Sequence, residues 1–402
     1  MGIHKAFKTR RVCIAILVSV VALSLVPIIY IGRYDRMVAD DIDFGQAVHA
    51  VYADGGSAVE IAQTAGQTVA EYYKEWQGTY AAIFLFALQP GAFSAGFYSI
   101  TPILLIGALV AGLGYFLNRL ILHVLAAPSY VWLGAWAVAV FLCVQFPRSA
   151  SEGFFWYNGG VFYVFFFALM LFALGYIMHG LFRTGSRKTV LLGRTLLLSA
   201  LSVLLAGGNY PVALLYGVCL LGSILFSRWR GCPMTWPLII SFIIFVAGFA
   251  INVLAPGNQV RASYWEGLAP MRAIVSALFG VLPRMGGMFL RHRGIFLTIL
   301  FLWLPFCIYV QRTPRFSYKW PWLPPLISWL ILGVMFTPPF YATGSGGPDR
   351  LWNCVYFMFV LLLMANVYYL AGWFRQRYGS AYEWMCGRML RLKRLAAPYI
   401  AL

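Results

Sequence analysis

The sequence predicts an all-α, polytopic membrane protein of about ten transmembrane helices, with amphipathic and re-entrant helices on its outer face. Three observations carry that prediction. Apolar residues fill 61% of the 402 positions and charged residues only 10%, against about 25% charged in an average soluble domain. The apolar residues fall in runs close to the roughly 20 needed to cross a bilayer. Basic residues then gather on alternate loops between those runs. So little charge leaves no polar surface to wrap a soluble core. A soluble enzyme, a disordered chain and a nucleic-acid reader are thereby excluded. The net charge of +18 does not rescue the last, because a groove-binding face needs its arginines clustered on a soluble surface.

The first run, 12–32, follows MGIHKAFKTRR and has no A-x-A cleavage site. It is longer than the apolar part of a signal peptide, so it reads as a retained span. The remaining spans are 98–117, 126–146, 160–181, 189–207, 209–227, 236–254, 294–310, 322–336 and 351–373. The stretch 268–290 is apolar but holds Arg272, Arg284, Pro283, Gly280, Gly286 and Gly287. Such a segment makes a poor lipid-facing helix, and it reads as a re-entrant or interfacial element. With both termini in the cytoplasm, the inner loops carry 20 of the 30 basic residues and one acid, Glu383. If 268–290 crossed, the basic loop 311–319 and the basic tail 375–402 could not both be inside. The chain is thus one transmembrane domain, with a first outer loop at 33–80 and an arginine-rich outer segment at 255–293.

The seven cysteines show no CxxC or CxxH spacing and read as small buried hydrophobes. No GxxxxGK[ST] phosphate loop occurs, nor a GxGxxG after a strand.

Chemistry concentrates on the outer face in four places. The loop YDRMVADDIDFGQAVH, 34–49, holds consecutive carboxylates Asp40 and Asp41, with Asp43 two positions on. A carboxylate at the membrane edge can be raised in pKa and act as a general base. A plainer role is capping a helix N-terminus. YYKEWQGTYAAIFLFAL, 72–88, mixes aromatic and polar groups around Trp76, as a sugar-facing wall or an interfacial belt. PRSASEGFFWYNGG, 147–160, combines Glu152, Trp156 and Asn158. Aromatic faces and amides of this kind line carbohydrate sites. Finally, Arg261, Arg272, Arg284, Arg291 and Arg293 fall on the outer side against the positive-inside trend, and Arg350 opens the last span within GSGGPDRLWN. Arginine suits phosphate oxygens, or else anionic lipid head groups.

An Asp-Asp pair opening the first outer loop resembles the GT-C superfamily of membrane glycosyltransferases. FFWYNGGVFYVF (155–166), APGNQVR (255–261) and the Gly-rich loop before the last span resemble its bacterial branch of O-antigen glucosyltransferases and related cell-envelope enzymes. In EWQGTY, 75–80, Thr79 stands where such proteins lead one to expect arginine. The resemblance implies inverting transfer of one sugar from a polyprenyl-phosphate donor to an envelope glycan or glycolipid acceptor. It would take place on the periplasmic face of a bacterial inner membrane. Asp40 or Asp41 would be the base. Arg261 and Arg350, with Arg272 and Arg284, would hold the donor phosphate. Glu152, Trp156, Asn158, Asp43 and Trp76 would contact sugar or acceptor. No cofactor is implied; a divalent ion on the Asp-Asp pair is the less favoured variant. A transporter or flippase of a lipid-linked sugar is the competing reading, but it should place ionisable groups within its spans.

Overall fold

A computed structural model describes residues 2–182, 187–310, 317–381, 384 and 388. The chain is all-helical among these residues, and the protein is a multi-pass membrane protein. Among the described residues, nine helices are long and apolar enough to cross a bilayer. Eight coincide with expected spans, among them α1 (Gly2–Ile31), α6 (Thr101–Asn118), α9 (Phe166–Phe182), α10 (Lys188–Ala206), α11 (Tyr210–Trp229), α12 (Thr235–Val253), α17 (Leu323–Thr343) and α18 (Asp349–Arg377). Most of the basic tail 375–402, and the loop 311–316, lie outside the described residues.

Three spans differ from expectation. The 126–146 run yields only a 17-residue helix, α7 (Ser129–Gln145). Pro128 fixes its start and the next proline, Pro147, follows its cap, Phe146. The 294–310 run divides into α15 (Arg293–Thr298), a π-helical turn over Ile299–Trp303 and α16 (Leu304–Val310). Pro305, two residues past the turn, has no N–H to continue the ladder, which suits a widened turn. The 322–336 run extends instead to Thr343, through Pro338 and Pro339, and ends on Gly344 at φ 65°. There glycine supplies the left-handed cap.

The segment 268–290 forms one unbroken helix, α14 (Pro270–Arg291), with Pro283 inside it. It is the ninth helix long and apolar enough to cross a bilayer, where the sequence led one to expect a re-entrant or interfacial element. It packs along α17, and the Trp329 indole donates to the Leu278 carbonyl at 2.8 Å. Its two ends are tied to the same end of the bundle. Just before it, the Leu268 N–H reaches the Phe340 carbonyl near the close of α17. Just after it, His292 packs against Phe146 at the close of α7.

Helix packing uses fully buried rings such as Tyr216, Phe166, Phe167, Tyr356 and Phe357. Lipid is as apolar as leucine, so close packing and interhelical hydrogen bonds hold such a bundle together. Tyr356 donates to the Leu142 carbonyl at 3.0 Å, Trp303 to Met364 at 2.9 Å and Trp136 to Val110 at 3.0 Å.

Four short helices cover one end of the bundle: α2 (Asp41–Ala53), α3 (Ala58–Glu75), α4 (Tyr80–Ala87) and α5 (Pro90–Phe93). α3 opens with a Ser57–Glu60 capping box, which meets two of its orphan N–H groups reciprocally. α4 is held there because the Ala81 and Ala82 N–H groups both reach the Gly207 carbonyl after α10. The closing ends of α7, α10, α12 and α17 face the opening ends of α6, α11 and α18 at this same end.

Candidate functional site

The Asp-Asp pair stands where the chain turns from the first span into α2. Ala39 adopts φ 51°, a left-handed conformation that costs a non-glycine residue roughly 1–2 kcal/mol. Strain of this kind concentrates at functional sites. Asp40 occupies the N-cap position of α2, yet its side chain makes no capping bond. The capping reading of the pair therefore fails.

The two carboxylates differ. Asp41 is fully buried. Its Oδ2 accepts from the Tyr98 hydroxyl and from the Val38 N–H at 3.1 Å; its Oδ1 accepts from the Asn158 N–H at 3.2 Å. Its carbonyl accepts from the Gln89 amide. Burial nevertheless raises its carboxyl to about 6, with the Tyr98 bond pulling the other way. Asp40 is half-buried, and its Oδ1 accepts only from the Asn158 Nδ2 at 3.2 Å. Burial raises its carboxyl too, opposed by Asn158 and by the charge of Arg350. Asp35, just upstream, is raised to about 7 by burial.

Asn158 comes from a stretch of unusual backbone. π-helical turns at Ser151–Phe155 and Val161–Phe165 flank the single α-turn of α8 (Tyr157–Gly160), and widened turns of this sort often mark functional positions. The Tyr98 hydroxyl also accepts the Tyr157 N–H at 2.9 Å. One phenol thus links the first outer loop to this stretch. Asn353 on α18 fixes the other flank, exchanging bonds with the Ser149 N–H (3.0 Å) and carbonyl (2.7 Å). Arg148 pairs with Asp349 at 3.0 Å.

These ties bring Arg350 into the cluster. Its guanidinium lies 3.5 Å from Glu152 Oε1 and 4.9 Å from the Trp156 ring centroid. The indole that sequence reading gave to a sugar face is thus covered on one side by arginine. Tyr163, buried below, stands within electrostatic reach of both Arg350 and Arg261.

Arg261 closes α13 (Pro256–Ala262). It donates to the Gln77 amide oxygen and lies 5.5 Å from the Trp76 ring. Among the described residues no carboxylate pairs with it. The loop Trp76–Thr79 and the start of α13 pack back to back: a Cβ at Gly78 would collide with the Asn252 carbonyl, and one at Gly257 with the Trp76 N–H. Asn258 locks the arrangement. It accepts from the Gly78 N–H (3.1 Å) and the Tyr210 hydroxyl (3.0 Å), and donates to the Asn252 carbonyl (2.7 Å). Thr79, the position lacking an expected arginine, is fully buried with its hydroxyl unpaired.

Sequence reasoning thus named Asp40, Asp41, Glu152, Trp156, Asn158, Arg350 and, on its rim, Arg261 with Trp76, and the fold gathers them. Other choices stand apart. Asp43 is exposed on α2 and Arg272 is exposed on α14. Arg284 is held between the rings of Phe340 (5.1 Å) and Trp352 (5.8 Å), bracing the Gly-rich loop rather than facing Asp40. Tyr98, Tyr163, Gln77 and Asn258 were missed. A tyrosine at the head of a span looks the same as an interfacial belt residue, whereas Asn258, in a Pro-Gly-Asn turn before Arg261, carried a signal. Among the described residues no group of three His, Cys, Asp or Glu side chains is placed to hold a metal ion.

No family model matches this chain, and neither a curated protein nor a solved structure does.

Proposed function

We propose that the protein is a membrane glycosyltransferase. It would move one sugar from a polyprenyl-phosphate donor to a cell-envelope glycan or glycolipid on the outer face of a bacterial inner membrane. The supporting observation is the meeting of Asp40 with Arg350 across Asn158 and Glu152, from segments about 300 residues apart in sequence. A base beside a cation is what displacement of a phosphate requires.

Asp40 is the base. Among the described residues no protein donor reaches its second oxygen, whereas both oxygens of Asp41 are engaged. Asp40 takes the proton of an acceptor hydroxyl as that oxygen attacks the anomeric carbon. The bond from that carbon to the phosphate oxygen breaks, with inversion. Arg350 and Arg261 stabilise the polyprenyl phosphate that leaves, where negative charge develops. Asp41 holds Asn158 and the loop in place. Both termini lie in the cytoplasm in this reading, because 20 of 30 basic residues then face inward.

The test offers purified protein a panel of polyprenyl-phosphate sugars and follows release of polyprenyl phosphate. Asp40→Asn should abolish release while donor binding persists. Full release by this variant refutes the base assignment. Passage of intact lipid-linked sugar across proteoliposomes without consumption would favour a transporter instead.

A further inference from the structure

Buried polar atoms in proteins are almost always paired. Within one seven-residue stretch of this chain, three are sealed from solvent and have no partner among the described residues: Glu152 Oε2, Trp156 Nε1 and Asn158 Oδ1. Asn158 as a residue is only 2% exposed, so bulk water does not meet its oxygen. The three residues border the same two groups. Glu152 and Trp156 flank Arg350, and Asn158 holds Asp40. They comprise two acceptors and one donor. Their complement is a ligand with at least two O–H or N–H donors and one acceptor oxygen, which vicinal hydroxyls supply.

Charge narrows the ligand further. Glu152 and Asp40 are both carboxylates. The cations at hand, Arg350 and Arg261, are those that the proposed reaction assigns to the donor phosphate. An acidic sugar would set a second anion beside Glu152 with only an indole N–H left to receive it. Like charges so juxtaposed cost several kcal/mol.

We propose that Glu152, Trp156 and Asn158 form a subsite for the hydroxyls of a neutral donor sugar, and that Glu152 excludes acidic sugars. The inference rests on the reading of Arg350 as the phosphate holder.

The experiment compares polyprenyl-phosphate glucose, polyprenyl-phosphate glucuronic acid and bare polyprenyl phosphate, by equilibrium binding to purified protein and separately by transfer. Wild type should bind the neutral donor about tenfold or more tighter than the acidic one. Glu152→Gln, which keeps the shape and removes the charge, should shrink that ratio severalfold. Trp156→Phe, which removes only the N–H and the pyrrole ring, should weaken the neutral donor relative to bare polyprenyl phosphate. Equal binding of both donors by wild type, or an unchanged ratio in Glu152→Gln, overturns the subsite and assigns the orphan atoms to buried water. Selective binding without any transfer upholds the subsite and counts against the glycosyltransferase reading. Transfer without selectivity does the reverse.

Discussion

Replacing Tyr98 by Phe removes one oxygen and almost no volume. Two bonds go with it: the hydroxyl's donation to Asp41 and its acceptance of the Tyr157 N–H at 2.9 Å. Tyr98 is fully buried, so water does not replace either. An orphaned buried N–H costs about 1–3 kcal/mol, and a hydrogen bond to a charged group contributes about 1.5–3 kcal/mol. The second loss depends on pH. Burial lifts Asp41 to about 6, so the folded protein binds this proton more tightly than the unfolded chain. Its stabilising contribution is therefore complete below the ordinary carboxylate range and is lost as pH climbs through about 6. Tyr98 restrains that rise, and its removal lifts Asp41 further. At pH 4.5 or so, with Asp41 protonated in both proteins, the variant should be less stable by about 1–3 kcal/mol, from the N–H alone. At pH 8 the deficit should grow to roughly 2.5–6 kcal/mol as the charged bond is added. The assay is reversible denaturant unfolding in lipid nanodiscs at both pH values, with the exposed Tyr34→Phe as control. A deficit that is absent, or equal at both pH values, would refute the bonding scheme at Asp41.

Other outcomes follow from the same geometry. Arg350→Ala and Arg261→Ala should each weaken binding of polyprenyl phosphate tenfold or so, the order expected when a charge-assisted contact is lost; unchanged affinity in both would remove them from the site. Gly78→Ala should destabilise the protein by several kcal/mol or prevent folding, since its methyl would meet the Asn252 carbonyl. A normal melting profile would contradict the back-to-back packing. Single cysteines at Gly55 and Gly231 in a background free of native cysteines should react with an impermeant maleimide from opposite sides of sealed vesicles. Labelling from one side would overturn the antiparallel order of the spans.

The broad fold was legible because the bilayer imposes a length on every apolar run. Where a run met proline its boundaries moved, as at Pro128, Pro305 and Pro338. The helix at 270–291 shows a different limit. Its arginines and Pro283 argue against a lipid-facing span, but they do not forbid a continuous helix whose buried face is Ala273, Ala277, Val281 and Met285. At the site, rare residue types were readable: scarce carboxylates and misplaced arginines stood out from an apolar background. Tyr98 did not, being one of 24 tyrosines. Nor did the sequence separate Asp40 from Asp41, because the difference lies in partners drawn from residues 98 and 158. Arg284 seemed equivalent to Arg350 until the rings of Phe340 and Trp352 were seen to enclose it.

Asp40 and Arg350 belong to the first and last spans' margins, and this has a bearing on biosynthesis. A ribosome adding about 5–20 residues per second takes about 15–60 s to travel from one to the other. Throughout that interval the nascent chain presents its acidic loop without the arginine that completes the cluster. The Asn353–Ser149 bonds, made by α18, can likewise form only after that helix has been synthesised.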